Sequence, residues 1–167
     1  MLARNRAQWG FTVVELMVTL TVLSILMCLA VPSFRDAGLP SQLRAIANGM
    51  VAATQVARSE AIKRNATVQL CVSSDGATCG TGNWQQGWIV ISGTTVLHSE
   101  PATPGGYRVT PAGGSTTLSF DATGLGATPD TFTVCRQTPR VGAQERVVTL
   151  TAAGRASVKT TTTGVCP

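Results

Sequence analysis

The chain has 167 residues, a formal charge of +5, one histidine, 5% aromatic residues and 17 glycines. That length suits one modest domain with an appendage, and so few aromatics among so many glycines argue against a helical bundle and for a turn-rich β domain. The charge is uneven: residues 33–130 carry six basic and six acidic side chains, whereas residues 131–167 carry Arg136, Arg140, Arg146, Arg155 and Lys159 against Glu145 alone.

The first element follows Arg4 and Arg6. From Phe11 to Val31 the chain runs 21 residues with a single charge, Glu15. A helix of that length spans about 30 Å, the thickness of a bilayer core. Its basic flank would stay cytoplasmic and the remainder would face outward. A secretory signal has a shorter apolar region with a cleavage site after it. Here the plausible cut, Gly10–Phe11, precedes the run, which would therefore stay in the mature protein. A plain anchor has no use for a glutamate at that depth, because an unpaired carboxylate in lipid is costly.

Pro32 closes this half, since proline donates no helical hydrogen bond. Leu43, Ile46, Met50, Ala53, Ala57 and Ala61 then recur at three- and four-residue steps, one apolar stripe of an amphipathic helix that should pack on a sheet. Glu60 can pair with Arg64, Lys63 and Arg64 suit the helix end, and Asn65 is a reasonable stop. Gly38 and Pro40 predict a kink or frayed stretch near residues 37–41.

Beyond Asn65 the pattern turns to β. Strands are expected at 67–72, 88–92, 94–98, 107–110, 116–120, 131–135, 146–151 and 156–160, punctuated by Gly, Pro, Asp and Asn. Trp84 and Trp88 flank a Gln-Gln-Gly turn and read as core packing. The fold class is α+β: a long helix packed on an antiparallel sheet head.

Cys28 lies in the apolar run and reads as a small buried hydrophobe. Cys71, Cys79, Cys135 and Cys166 form no CxxC pair, which disfavours zinc and favours two disulfides in an oxidising compartment. Three pairings are open. The favoured one is Cys71–Cys79, closing a turn, with Cys135–Cys166, tying the chain end to a strand.

No catalytic constellation is recognisable: His98 lacks a partnered nucleophile, and there is no phosphate loop, dinucleotide fingerprint or metal cluster. Neither enzyme activity nor a cofactor is expected. Glu145, amid arginines, reads as an ion-pair partner. The basic end is the one candidate site. Arg155 follows Gly154 in an expected hairpin, and Arg155, Ser157 and Lys159 would share one face of an extended segment. With Arg136, Arg140, Arg146 and the Thr160–Thr163 tail they could contact phosphates without reading bases. The competing reading is a solvated basic surface.

Gly-Phe-Thr-x-x-Glu-Leu-Met at Gly10–Met17, after a short basic leader, resembles the prepilin motif of type IV pilins and type II secretion pseudopilins. The resemblance implies a 1–10 leader removed by a prepilin peptidase after Gly10, N-methylation of Phe11, and a Glu15 that answers the amino-terminal charge of a neighbouring subunit. It divides the chain into that leader, a long helix over 11–64 (membrane-embedded over 11–31, kinked near 32–41) and a β-rich head over 65–167.

A second resemblance covers residues 10–166, loosely in the middle. QVARSEAIKRNATVQLCVSSDGATC, NWQQGWIVI and VVTLTAAGRA are similar to the GspH/FimT family of minor pilins and pseudopilins, FimT-like members most of all. It implies a pilin-like fold and a precursor in the bacterial inner membrane with its head in the periplasm. It also implies assembly with other pilin subunits into a pilus. Some FimT-like proteins bind double-stranded DNA during natural transformation through a Gly-Arg-x-Arg loop. Gly154 and Arg155 match its first two places, but Ser157 stands where the second arginine would be, with Lys159 two residues on. The alternative within the family is a GspH-type pseudopilin of a type II secretion system. From another class comes a membrane-anchored enzyme or binding module with an unrelated head.

Overall fold

The computed structural model describes residues 10–125, 128–138 and 144–167, and of residues 29–38 the backbone alone. The chain divides into two units, Met1–Gly38 and Leu39–Pro167. The first helix, α1 (Val13–Arg64), runs from one into the other.

In the first unit, Thr12 caps α1. The Glu15 amide donates to the Thr12 hydroxyl at 3.2 Å, half of a Thr-x-x-Glu capping box. The carboxylate of Glu15 stands in the first turn, where the helix dipole favours negative charge. The hydroxyls of Thr19, Thr21 and Ser24 donate to carbonyls one turn back at 2.7–2.8 Å. Their polar groups are thereby satisfied within an apolar segment. Side chains from Phe11 to Cys28 are exposed in the single chain. Cys28 is therefore free and exposed, not buried as the sequence suggested. Among the described residues no helix is long and apolar enough to cross a membrane, and residues 29–31, which complete the apolar run, lack described side chains. The kink expected between residues 32 and 41 falls on the join between the two units and stays an expectation.

The second unit carries the core. Eight strands follow α1: β1 (Val68–Val72), β2 (Trp88–Ser92), β3 (Thr95–Glu100), β4 (Tyr107–Pro111), β5 (Thr117–Phe120), β6 (Asp130–Arg136), β7 (Glu145–Leu150) and β8 (Ala156–Thr161). Each matches an expected strand to within two residues. They form two antiparallel four-stranded sheets, ordered β3-β2-β1-β5 and β4-β6-β7-β8.

The helical stripe is buried as its spacing predicts. Leu43, Ile46, Met50, Ala53, Ala57 and Ala61 join one cluster with Leu70, Trp88 and Phe120 of the first sheet and Val109, Phe132 and Val148 of the second. Fully buried alanines at 47, 53, 57 and 61 leave room for the helix to approach both sheets closely. Trp84 and Trp88 are core residues; Trp84 meets Phe132 edge-on at 5.1 Å and donates its Nε1–H to the Ser115 carbonyl at 2.7 Å, so its one polar atom is satisfied. A smaller cluster of Cys71, Ile89 and Ile91 lies on the other face of the first sheet. Glu60 pairs with Arg64 at 2.7 Å as expected, and with Lys63 at 3.1 Å. Asn65 ends the helix in the left-handed region, φ 49°.

The four head cysteines pair as Cys71–Cys79 and Cys135–Cys166. The second bridge fixes the carboxy-terminal tail, and Thr110 adds a hydroxyl bond to the Pro167 carbonyl at 3.2 Å.

Candidate functional site

The basic residues separate once the strands are placed. In β6, β7 and β8, side chains alternate between faces. Arg146 lies opposite Val134 and so shares their core-facing side. It is 5% exposed, and its Nη1 donates to the Glu145 carbonyl at 3.0 Å. Arg136 lies opposite Tyr107, with its guanidinium 5.4 Å from the ring centre, a cation–π distance. Lys159 lies opposite Val147, on the outer face, and is exposed. Arg140 falls outside the described residues.

Arg155 is exposed at the turn joining β7 to β8. The turn is closed by bonds from the Gly154 amide to the Thr151 carbonyl and from the Thr151 amide to the Arg155 carbonyl. Gly154 takes φ +68°, and a Cβ there would stand 2.7 Å from the Gly124 carbonyl oxygen and 3.3 Å from Arg58 Cδ. Only glycine fits that approach. The facing turn, at Gly124, is held by Asp121. Its carboxylate is kept below the usual range first by the Thr123 hydroxyl and then by backbone amides, against the opposing effect of burial.

Three elements thus meet: the last turns of α1, the 121–125 turn and the 151–155 turn. Between α1 and the β7–β8 turn they leave a half-open cleft of about 600 Å³, lined by Gln55, Arg58, Ser59, Ile62 and residues 154–157. Arg58 Nε is inaccessible to solvent there, with no hydrogen-bond partner among the described residues. Sequence reading missed Arg58. It occupies an ordinary position on a helix face, and no local signal reveals that a hairpin nearly a hundred residues later closes over it.

Among the described residues the partners of the Glu145 carboxylate are hydroxyls and amides rather than arginines. Its Oε2 accepts from Thr161 Oγ1 at 2.8 Å, Thr163 Oγ1 at 2.8 Å and the Thr163 amide at 3.1 Å. Burial opposes its ionisation, but these donors outweigh burial and hold the carboxyl below its ordinary value. Glu145 therefore buckles the tail to β7, and two of the hydroxyls expected to face phosphates are already engaged.

An amino-terminal helix with a capped, glutamate-bearing apolar start, packed through its second half on two antiparallel sheets, defines a pilin-type subunit. The comparisons agree. The chain matches the family described as Type II transport protein GspH over residues 47–154 and the prokaryotic N-terminal methylation motif over residues 5–30. It belongs to the GspH family of minor pilins and pseudopilins. No curated protein matches it significantly. Among solved structures it is similar to the type IV minor pilin FimU of Pseudomonas aeruginosa, at 21% identity and TM-score 0.57, over 71% of this chain and 89% of that one. It is also similar to the minor pseudopilin EpsH from the Type 2 Secretion System of Vibrio cholerae, at 11% identity and TM-score 0.51, over 71% and 97%. At those identities the likeness is one of fold. Arg155 and Lys159 lie beyond the last residue of the family match.

Proposed function

We propose that the protein is a minor pilin of a type IV pilus that binds DNA without sequence preference through its carboxy-terminal hairpin during DNA uptake, most like FimT. The precursor sits in the inner membrane with its head in the periplasm. Prepilin peptidase cuts between Gly10 and Phe11, Phe11 is methylated, and Glu15 neutralises the new amino terminus of a neighbouring subunit as the helix enters the filament. Pairing turns a costly buried carboxylate into a tolerable one.

The observation that carries the DNA reading is the state of Arg155. It is exposed on a tight turn, and its side chain has no partner among the described residues. Lys159 is exposed on the same hairpin, while Arg136 and Arg146 are occupied elsewhere. Among the described residues of the basic end, the cations left without a partner are Arg155 and Lys159, and they belong to one hairpin.

The test uses the full chain in non-ionic detergent micelles with a fluorescent duplex. Affinity should fall steeply with salt, and Arg155→Gln with Lys159→Gln should lower the slope of log K against log salt by roughly 0.9 for each phosphate that the variant no longer neutralises. An unchanged slope in the double variant refutes the hairpin as the DNA-binding element. The second reading, a pseudopilin of a type II secretion system, is favoured by the description of the matching family. Loss of secretion with intact pili on deletion would select it.

A further inference from the structure

The cleft beside Arg155 holds a feature the hairpin alone does not explain. Arg58 is wedged between two glycines: a Cβ at Gly124 would come 3.1 Å from its Nε, and one at Gly154 would come 3.3 Å from its Cδ. Its stem is fixed, yet its Nε–H is shut off from solvent and bonded to nothing among the described residues. A buried donor of a permanent cation is costly when left unpaired. The nearby acids do not serve it. Glu60 is engaged by Lys63 and Arg64, and Asp121 Oδ1 accepts from its own turn.

The rim decides what could. Arg58 lines one wall and Arg155 the opposite wall, and Lys159, exposed, follows Arg155 on β8. Such an excess favours a polyanion over an isolated carboxylate. Among the described residues no aromatic side chain lines the cleft, and so they offer no stacking platform for bases.

We propose that this cleft is a phosphate seat, in which Arg58 from α1 and Arg155 from the β7–β8 turn take one backbone phosphate of duplex DNA from opposite walls. This rests on the DNA-binding reading above and adds a helix residue to it. The hairpin is then one jaw of a site whose other jaw is the pilin helix. A phosphate held at the part of Arg58 that lines the cleft offsets the cost of a cation whose Nε–H is shut off from solvent.

The experiment follows DNA binding by the full chain in non-ionic micelles for wild type, Arg58→Gln, Arg155→Gln and the double variant, across roughly 50 to 200 mM salt. Arg58→Gln should weaken binding about tenfold, the scale of one charge-assisted hydrogen bond, with little change in the salt slope while Arg155 still neutralises the phosphate. The double variant should lower the slope by about 0.9, because both side chains hold the same phosphate. In labelled wild-type protein, which needs no substitution, the Arg58 Nε–H resonance should shift on addition of the duplex. If Arg155→Gln weakens binding while Arg58→Gln does not, and the resonance stays still, the cleft is overturned and the DNA reading stands. Wild-type protein that ignores DNA at the lowest salt overturns both. A shift with acetate but not with inorganic phosphate or duplex also overturns the proposal, assigning the cleft to a carboxylate of a neighbouring subunit.

Discussion

Replacing Gly154 by alanine isolates the contact that sets the β7–β8 turn against the rest of the head. Two costs add. The residue sits at φ +68°, a conformation that costs an L-residue about 1–2 kcal/mol. The new methyl also meets the Gly124 carbonyl oxygen at 2.7 Å, several tenths of an ångström inside ordinary contact. Gly124 is itself closely packed: a Cβ built on it would stand 2.7 Å from Ile62 Cδ1. Overpacking against such a neighbour adds about 1–3 kcal/mol. The expected loss is therefore about 2–5 kcal/mol, which lowers the urea midpoint by about 1–2.5 M at a slope of about 2 kcal/mol/M. Denaturation can be followed by the fluorescence of Trp84 and Trp88, both 1% exposed. Gly93 supplies the control, at φ +58° with open space around it. Gly93→Ala carries the conformational cost alone. If Gly154→Ala is no more destabilising than Gly93→Ala, the close approach to Gly124 is wrong, and with it the packing of the hairpin on the helix end.

The two disulfides should differ in worth. Cys135–Cys166 closes a separation of 31 residues and Cys71–Cys79 one of 8, so loop entropy gives about 4 and about 2.5 kcal/mol; equal losses in the paired alanine variants would contradict that ordering. Glu15→Ala should leave the helix intact, since its cap uses the backbone amide of residue 15, but cut filament incorporation by roughly a hundredfold if the broken pair costs about 3 kcal/mol. Normal incorporation would end the assembly account. Glu145 has a depressed pKa, so its hold on Thr161 and Thr163 is complete above the unfolded value of about 4.3 and is lost as pH falls through the lower folded value. The Thr163 amide resonance should therefore titrate with a midpoint below the ordinary glutamate value, and a midpoint above it would show that the carboxylate is not stabilised.

Much of the head was legible because its patterns are local. All eight strands show in runs of β-branched residues between turn residues, and the helical stripe shows in its three- and four-residue steps. The disulfides were narrowed by spacing and compartment, and the structure selects one of three pairings. The Thr-x-x-Glu cap was also written in the sequence, but the glutamate drew attention as a charge and the threonine three residues earlier was passed over. The basic end was read least well. Five cations within 37 residues look like one patch in one dimension. Strand alternation and register divide them, sending Arg146 inward and laying Arg136 on Tyr107.

By itself the sequence determined the helix-then-strands order, the apolar start with its one carboxylate, and the family, because each depends on residues close together in the chain. Only the tertiary structure decided which cations are free, what Glu145 holds, and that Arg58 faces the Gly154–Arg155 turn. Those outcomes depend on register and on sheet-to-helix packing. A shift of one residue reverses the face of every side chain in a strand, and no local pattern encodes where two distant turns will touch.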